Sequence, residues 1–194
     1  MQVVKIDANR EDREVPASLV PILAVINTRY GRTRADDWQS LEQMREWLIQ
    51  NQLLANETPV SQGDQRRLIE VREALRGLLR GNNGQPVDPK HIETLNHIAK
   101  HASLIVRLRP DGSAHLVPDI EGVDGVIGFL LGIVFTAMAD GTWTRLKVCR
   151  NDHCQKAFYD SSKNHSGTWC AMATCGSRIK ARAYRQRQQK KIEG

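Results

Sequence analysis

The sequence lacks the segments that mark membrane-spanning and secreted proteins. Its longest apolar run, residues 126–139, is shorter than the roughly 20 residues that span a bilayer, so we expect a buried helix there and no membrane partner. The first residues lack the apolar core of a secretory signal, which favours a reducing cytoplasm. HExxH, Walker, Rossmann-type and GxSxG patterns are also missing, so an enzyme is the least supported class of protein.

Cysteine is scarce and confined to one stretch. The four cysteines form two pairs, Cys149-x4-Cys154 and Cys170-x4-Cys175, separated by fifteen residues. Two disulfides or four buried thiols are the alternatives, but paired thiols with short gaps are typical of a tetrahedral zinc site. We therefore predict one structural Zn²⁺ per chain. Four protein ligands close such a site and leave no position for a water molecule.

Positive charge is concentrated at the end of the chain. The net charge is +6, and residues 147–194 carry eleven basic against three acidic residues. Cations close to the cysteines, such as Lys147 and Arg150, could offset the charge of the thiolates. Those farther along a C-terminal helix suggest a polyanion partner, DNA or RNA. The candidate nucleic-acid-binding residues are Arg178, Lys180, Arg182, Arg185, Arg187 and Lys190. A solvated helix on a protein–protein adaptor, with zinc as a staple, is the alternative.

Helical periodicity dominates the first 140 residues, and five side chains are placed to cap helices. These candidate N-caps are Ser18, Ser40, Ser61, Asp88 and Asp119. The turn at residues 110–112 predicts a β-hairpin, and residues 3–6 predict an edge strand. We predict an α+β fold: a mostly helical domain with a small hairpin over residues 1–142, then a treble-clef-like zinc finger over residues 143–194. In that finger Phe158 and Tyr159 form a strand, and a basic helix begins at Cys175.

One pair of small residues in the first domain bears on self-association. Gly128 and Gly132 lie four residues apart in the apolar run, a spacing that lets another helix approach closely. Packing in the core is one interpretation, and the seam of a homodimer is the other.

The motifs of the finger and of the first domain resemble a known family. In the finger they are Cys149-x4-Cys154-x3-Phe158-Tyr159-Asp160-Ser161 and Trp169-Cys170-x4-Cys175-Gly176-Ser177-Arg178. In the first domain they are Ile26-Asn27-Thr28-Arg29, Trp47-Leu48 and Leu68-x2-Val71-Arg72-Glu73-Ala74-Leu75. The pattern resembles the CGNR-type zinc finger with an N-terminal ABATE domain. The resemblance implies a bacterial transcription regulator whose finger binds DNA.

The resemblance also singles out residues to examine. Ser177 stands where the CGNR signature has asparagine, and Gly167 and Thr168 stand where the family has a basic pair. Both departures bear on DNA affinity and not on the metal. The cluster Asn27, Thr28 and Arg29 could form a small-molecule effector pocket or could simply terminate a helix by local hydrogen bonds.

Overall fold

The computed structural model describes residues 15–31 and 35–192, with the backbone alone for residues 183 and 190–192. The edge strand predicted at residues 3–6 lies outside this range. The helices are α1 (Val20–Ile26), α2 (Leu41–Gln50), α3 (Gln62–Gly81), α4 (Pro89–Ala99), α5 (Gly122–Ala139) and α6 (Ser177–Ile192). The strands are β1 (Leu104–Leu108), β2 (Ala114–Pro118), β3 (Leu146–Val148) and β4 (Ala157–Tyr159). The predicted α+β class, mostly helical with small sheets and a closing basic helix, is confirmed.

Helix α3 is the centre of the first domain. Leu68, Val71, Leu75 and Leu79 recur along one face and are fully buried, as an amphipathic helix against a core requires. The neighbours of α3 are α1, α2, α4, α5 and β3. Helices α2 and α3 both begin with a capping box, at Ser40 and Ser61, and Asp88 caps α4. These three predicted caps are confirmed.

Two predicted caps are wrong. Ser18 lies inside a 3₁₀ turn, Ala17–Leu19, that begins after Pro16, and it makes no cap hydrogen bond. Helix α5 begins after Glu121 and not after Asp119. Gly122 adopts a φ of 70° there. Glycine tolerates this left-handed conformation, which turns the chain into the helix.

Helix α5 is apolar and long enough to cross a membrane by length and composition, yet it is a core helix in this fold. Its buried side chains, among them Ile127 and Leu130, pack in the main hydrophobic core. Gly128 and Gly132 face the β1–β2 hairpin, where added Cβ atoms would lie 3.4 Å from Pro118 and from the carbonyl of Leu116. The close approach is therefore made by strands and not by another helix.

The second antiparallel sheet, β3 with β4, joins the finger to the first domain. Leu146, Val148 and Ala157 belong to the same buried core as helices α1 and α3. The partner of β4, which carries Phe158 and Tyr159, is β3, so the first cysteine pair lies in the turn of this hairpin. The boundary at residues 142 and 143 stays a prediction, and one hydrophobic core extends across it.

Candidate metal centre

The four cysteine sulfurs meet at one point although the pairs are far apart in sequence. Their Sγ atoms all lie within 4.8 Å of one another. The separation is 3.6 Å between Cys154 and Cys170 and 3.8 Å between Cys170 and Cys175. Disulfide sulfurs would lie about 2.05 Å apart. Four sulfurs at about 2.3 Å from a tetrahedral zinc ion are separated by roughly 3.8 Å, so the arrangement fits such an ion.

The backbone around the sulfurs is shaped to hold thiolates. The amides of Asn151 and Cys170 point to the sulfur of Cys149, and that of Lys156 points to Cys154. The buried side chain of Asn151 donates from Nδ2 to the sulfur of Cys175 at 3.5 Å. Hydrogen bonds of this kind stabilise the charged form of a sulfur, and they orient metal ligands.

The pKa values of the thiols diverge because each sulfur lies beside other ionisable sulfurs. Hydrogen bonds from the thiols of Cys154 and Cys170 lower the pKa of Cys149 to about 2. The hydrogen bond with Cys149 raises the pKa of Cys154 to about 12. Hydrogen bonds with Cys149 and Cys154 also raise the pKa of Cys170. The first thiolate therefore forms readily, and further ones are disfavoured by like charge until a cation offsets them. A dication is the species that this cluster accommodates.

The last ligand is positioned by a wide turn and not by the helix that sequence reasoning predicted. Residues Met172–Gly176 form a single π-helical turn, and α6 begins only at Ser177. The amides of Cys175 and Gly176 both donate to the carbonyl of Ala171, at 3.0 and 3.2 Å. They are not free N–H groups, as a helix start at Cys175 implied. A Cβ on Gly176 would lie 2.3 Å from the sulfur of Met172 and 3.1 Å from Cδ1 of Trp169, so a larger residue here would displace the Met172 side chain.

A buried ion pair supports the loop that returns the chain to the metal centre. Lys147 Nζ lies 2.6 Å from Asp160 Oδ2, and both side chains are about 95% or more buried. Burial raises the pKa of Asp160, but hydrogen bonds from Lys147, Ser162 and the amide of Gly167 outweigh it and hold the pKa at about 2. Lys147 is thus engaged by a carboxylate, so it does not serve to offset the thiolates.

Sequence reasoning missed several residues that hold the finger against the first domain. Asn82 Nδ2 donates to the carbonyls of Trp143 and Leu146, at 2.8 and 2.9 Å. Asn83 Nδ2 donates to the carbonyl of Val148 at 2.8 Å. Both asparagines follow α3 in what looked like an ordinary loop. No local signal in the sequence indicates these partners, because the acceptors lie more than sixty residues away.

The cluster at residues 27–29 is divided between two environments. Asn27 pairs with the backbone of Ala157 in β4, and Thr28 donates to the carbonyl of Val25 at 2.8 Å. Arg29 lines a polar cleft of about 400 Å³ together with Arg76 and other residues of both domains. The three residues therefore do not line one pocket together, and an effector site at this place stays a prediction.

The candidate nucleic-acid-binding residues are placed on the surface. Arg178, Lys180, Arg182, Arg185 and Arg187 are all exposed on α6, and the side chain of Lys190 lies outside the described residues. Within the part of the chain that the structure describes, none of those five is engaged in an ion pair. The principal neighbour of α6 is the π turn that precedes it, so the helix projects from the metal centre.

Comparison with protein families finds two matches, which follow each other along the chain. Residues 145–188 match the CGNR zinc finger. Residues 19–140 match ABATE, described as "Putative stress-induced transcription regulator". No curated protein matches the chain. Because the ABATE model covers more than half of the residues and the CGNR model follows it directly, the chain belongs to the ABATE family and carries a CGNR zinc finger.

Proposed function

We propose that this protein is a zinc-containing DNA-binding transcription regulator whose α6 helix contacts the phosphates of duplex DNA. The family supplies the regulatory role. The observation that carries DNA binding is a set of five exposed cations on α6, none of which forms an ion pair within the described residues. A cation on an exposed helix is free to replace the counterions of a nucleic acid.

The five described cations of α6 lie along two opposite sides of the helix. Arg178, Arg182 and Arg185 are four and three residues apart and share one side, since an α-helix repeats every 3.6 residues. Lys180 and Arg187 are seven residues apart and lie roughly opposite. A helix in the major groove has a phosphate strand on each flank. Two opposed stripes suit a duplex better than a single strand.

The metal has a structural role in this proposal. One Zn²⁺ held by Cys149, Cys154, Cys170 and Cys175 would cross-link the β3–β4 turn to the start of α6. Four protein ligands leave no coordination position for a substrate, so we assign no catalytic activity. Free thiols at this spacing are kept reduced in a cytoplasm, where we place the protein.

The test is binding to duplex DNA and to single-stranded RNA across a salt series. We expect log K for DNA to fall linearly with log salt, with a slope of about −0.9 per phosphate contact. The double variant Arg182→Ala, Arg185→Ala should flatten the slope by about 1.8, and so should Lys180→Ala, Arg187→Ala on the other side. The matched control is Arg107→Ala, Arg109→Ala, which removes two exposed cations from the hairpin of the first domain.

Three results would contradict the proposal. Tighter binding to single-stranded RNA would assign the helix to RNA. No binding at low salt would favour the adaptor, in which the zinc only staples the C-terminal region. An equal loss in the hairpin control would show that net charge matters and that α6 does not.

A further inference from the structure

A cavity in the first domain lies at the opposite end of α1 from residues 27–29, the cluster predicted as an effector pocket. It has a volume of about 640 Å³ and lies between the start of α1, the loop after α2 and the start of α5. Its walls are mainly apolar, with Val20, Leu54, Val126 and Phe129 among them. Cavities of this size that combine apolar walls with a few polar groups are typical of small-molecule sites.

The loop after α2 gives one wall of the cavity an unusual backbone. Gln52 has a φ of 57°, in the left-handed region that costs a non-glycine residue about 1 kcal/mol or more. The amide of Leu53 donates to the carbonyl of Leu48 at 2.9 Å. This is the hydrogen bond of a Schellman helix end, in which glycine normally takes the position of Gln52. The chain accepts this strain at a residue of the cavity wall, which Gln52 forms together with Leu53 and Leu54.

The charge of the cavity excludes one class of ligand. Within the described residues, Glu121 is the ionisable group in the lining, and no lysine, arginine or histidine accompanies it. Glu121 precedes α5 without a side-chain cap hydrogen bond. Its full negative charge exceeds the partial positive charge of about half a unit at the helix start. An anionic ligand would meet a carboxylate without a balancing cation.

We propose that this cavity binds a small apolar molecule that carries an amine, with the ammonium group beside Glu121 and the apolar body between α1 and α5. The apolar walls supply the affinity through burial, and the carboxylate at the mouth supplies the selectivity. The proposal does not depend on DNA binding by α6. It moves the effector site from residues 27–29 to the opposite end of α1.

The test uses three probes that share one body: 4-phenylbutylamine, 4-phenylbutanol and 4-phenylbutyrate. We expect the full-length protein to bind the amine at least about tenfold more tightly than the carboxylate, as measured by calorimetry or ligand-observed NMR. The preference should shrink as the ionic strength rises. Glu121→Gln should remove the preference for the amine while leaving the affinity for the alcohol within about twofold.

A second pair of variants tests the place of binding. Ala17 lines the cavity and its neighbour Ser18 does not, and both side chains are exposed. Ala17→Trp should therefore reduce the binding of all three probes by tenfold or more, and Ser18→Trp should leave it unchanged. Absence of probe binding to the wild type, a carboxylate that binds as tightly as the amine, or equal effects of the two tryptophans would overturn the proposal.

Discussion

The side-chain amide of Asn27 pairs with the backbone of Ala157 as a neighbouring strand would. Asn27 Nδ2 donates to the carbonyl of Ala157 at 2.9 Å, and Asn27 Oδ1 accepts from its amide at 2.8 Å. The two residues are 130 positions apart, and Ala157 is buried. Asn27, the residue at the end of α1, thus uses its side chain to fix strand β4 of the finger against the first domain.

Replacing Asn27 should destabilise the protein as a whole. Asn27→Ala leaves both backbone groups of the buried Ala157 without a partner, and each such loss costs about 1 to 3 kcal/mol. We expect the free energy of unfolding to fall by about 2 to 6 kcal/mol, as measured by urea denaturation of the zinc-loaded protein. Asn56→Ala, an exposed loop change, is the control and should cost less than about 0.5 kcal/mol. Equal costs for the two variants would contradict the role of the pair.

Elemental analysis should find about one zinc per chain, and Cys175→Ser should lose it, because three thiolates and a hydroxyl bind the ion far more weakly. Ser177→Ala is the matched control, since its hydroxyl lies two residues away and donates to the carbonyl of Met172 at 3.0 Å. Removal of zinc with a chelator should lower the melting temperature of the wild type. Unchanged zinc content in Cys175→Ser would refute the four-cysteine site.

Restoring the basic pair that the family carries before its Trp-Cys motif should have unequal effects at the two positions. A Cβ on Gly167 would lie 2.6 Å from Asp160 Oδ1, beside the buried ion pair with Lys147. Gly167→Arg should therefore destabilise the protein by about 2 kcal/mol or more. Thr168→Arg changes a half-buried side chain and should cost about 1 kcal/mol or less. Urea denaturation measures the free energy of unfolding of the two variants. Equal values would refute the steric argument.

The ion pair between Arg72 and Asp36 should make stability depend on pH. Arg72 is fully buried, with bonds of 2.7 and 2.8 Å to the two oxygens of Asp36. Burial raises the pKa of Asp36, but the hydrogen bond and charge of Arg72 outweigh it and lower the pKa. Since the folded-state pKa is the lower one, the stabilisation is complete above about pH 4 and is lost as the pH falls below it.

Asp36→Ala tests this pair because it leaves a buried guanidinium without its main counterion. The expected cost near pH 7 is about 3 to 5 kcal/mol, and Asp119→Ala, at an exposed position, should cost less than about 0.5 kcal/mol. The gap between wild type and Asp36→Ala should narrow in urea denaturation as the pH falls from about 5 to 3. A gap that is constant with pH would show that Asp36 is not ionised in the fold.

The features that sequence predicted well are local ones. The N-caps at Ser40 and Ser61 need only residues three positions apart, so the sequence contains everything that forms them. The cysteine cluster joins distant segments, yet the spacing of the cysteines still predicts it. Each thiol pair is local, and a tetrahedral site needs both pairs. The four sulfurs accordingly meet, as predicted.

The features that sequence missed depend on contacts between distant segments. Asn82 and Asn83 find their acceptors more than sixty residues away, and no periodic pattern records such a partner. The sequence predicts Cys175 at a helix start, but the carbonyl of Ala171 accepts hydrogen bonds from two amides, which gives a wider, π-helical turn. The cap predicted at Asp119 is wrong because α5 begins at Gly122, where a left-handed φ turns the chain into the helix.

Helix α1 is short, and it connects the cavity of the first domain to strand β4 of the finger. Seven residues at about 1.5 Å each make a rod roughly 10 Å long. Val20 and Pro21 at its first turn line the 640 Å³ cavity, and Asn27 at its end holds β4. A molecule that displaced the first turn of α1 would therefore also move Asn27, which holds strand β4 of the finger. The distance from the cavity to the zinc-finger strand is thus a single helix of two turns.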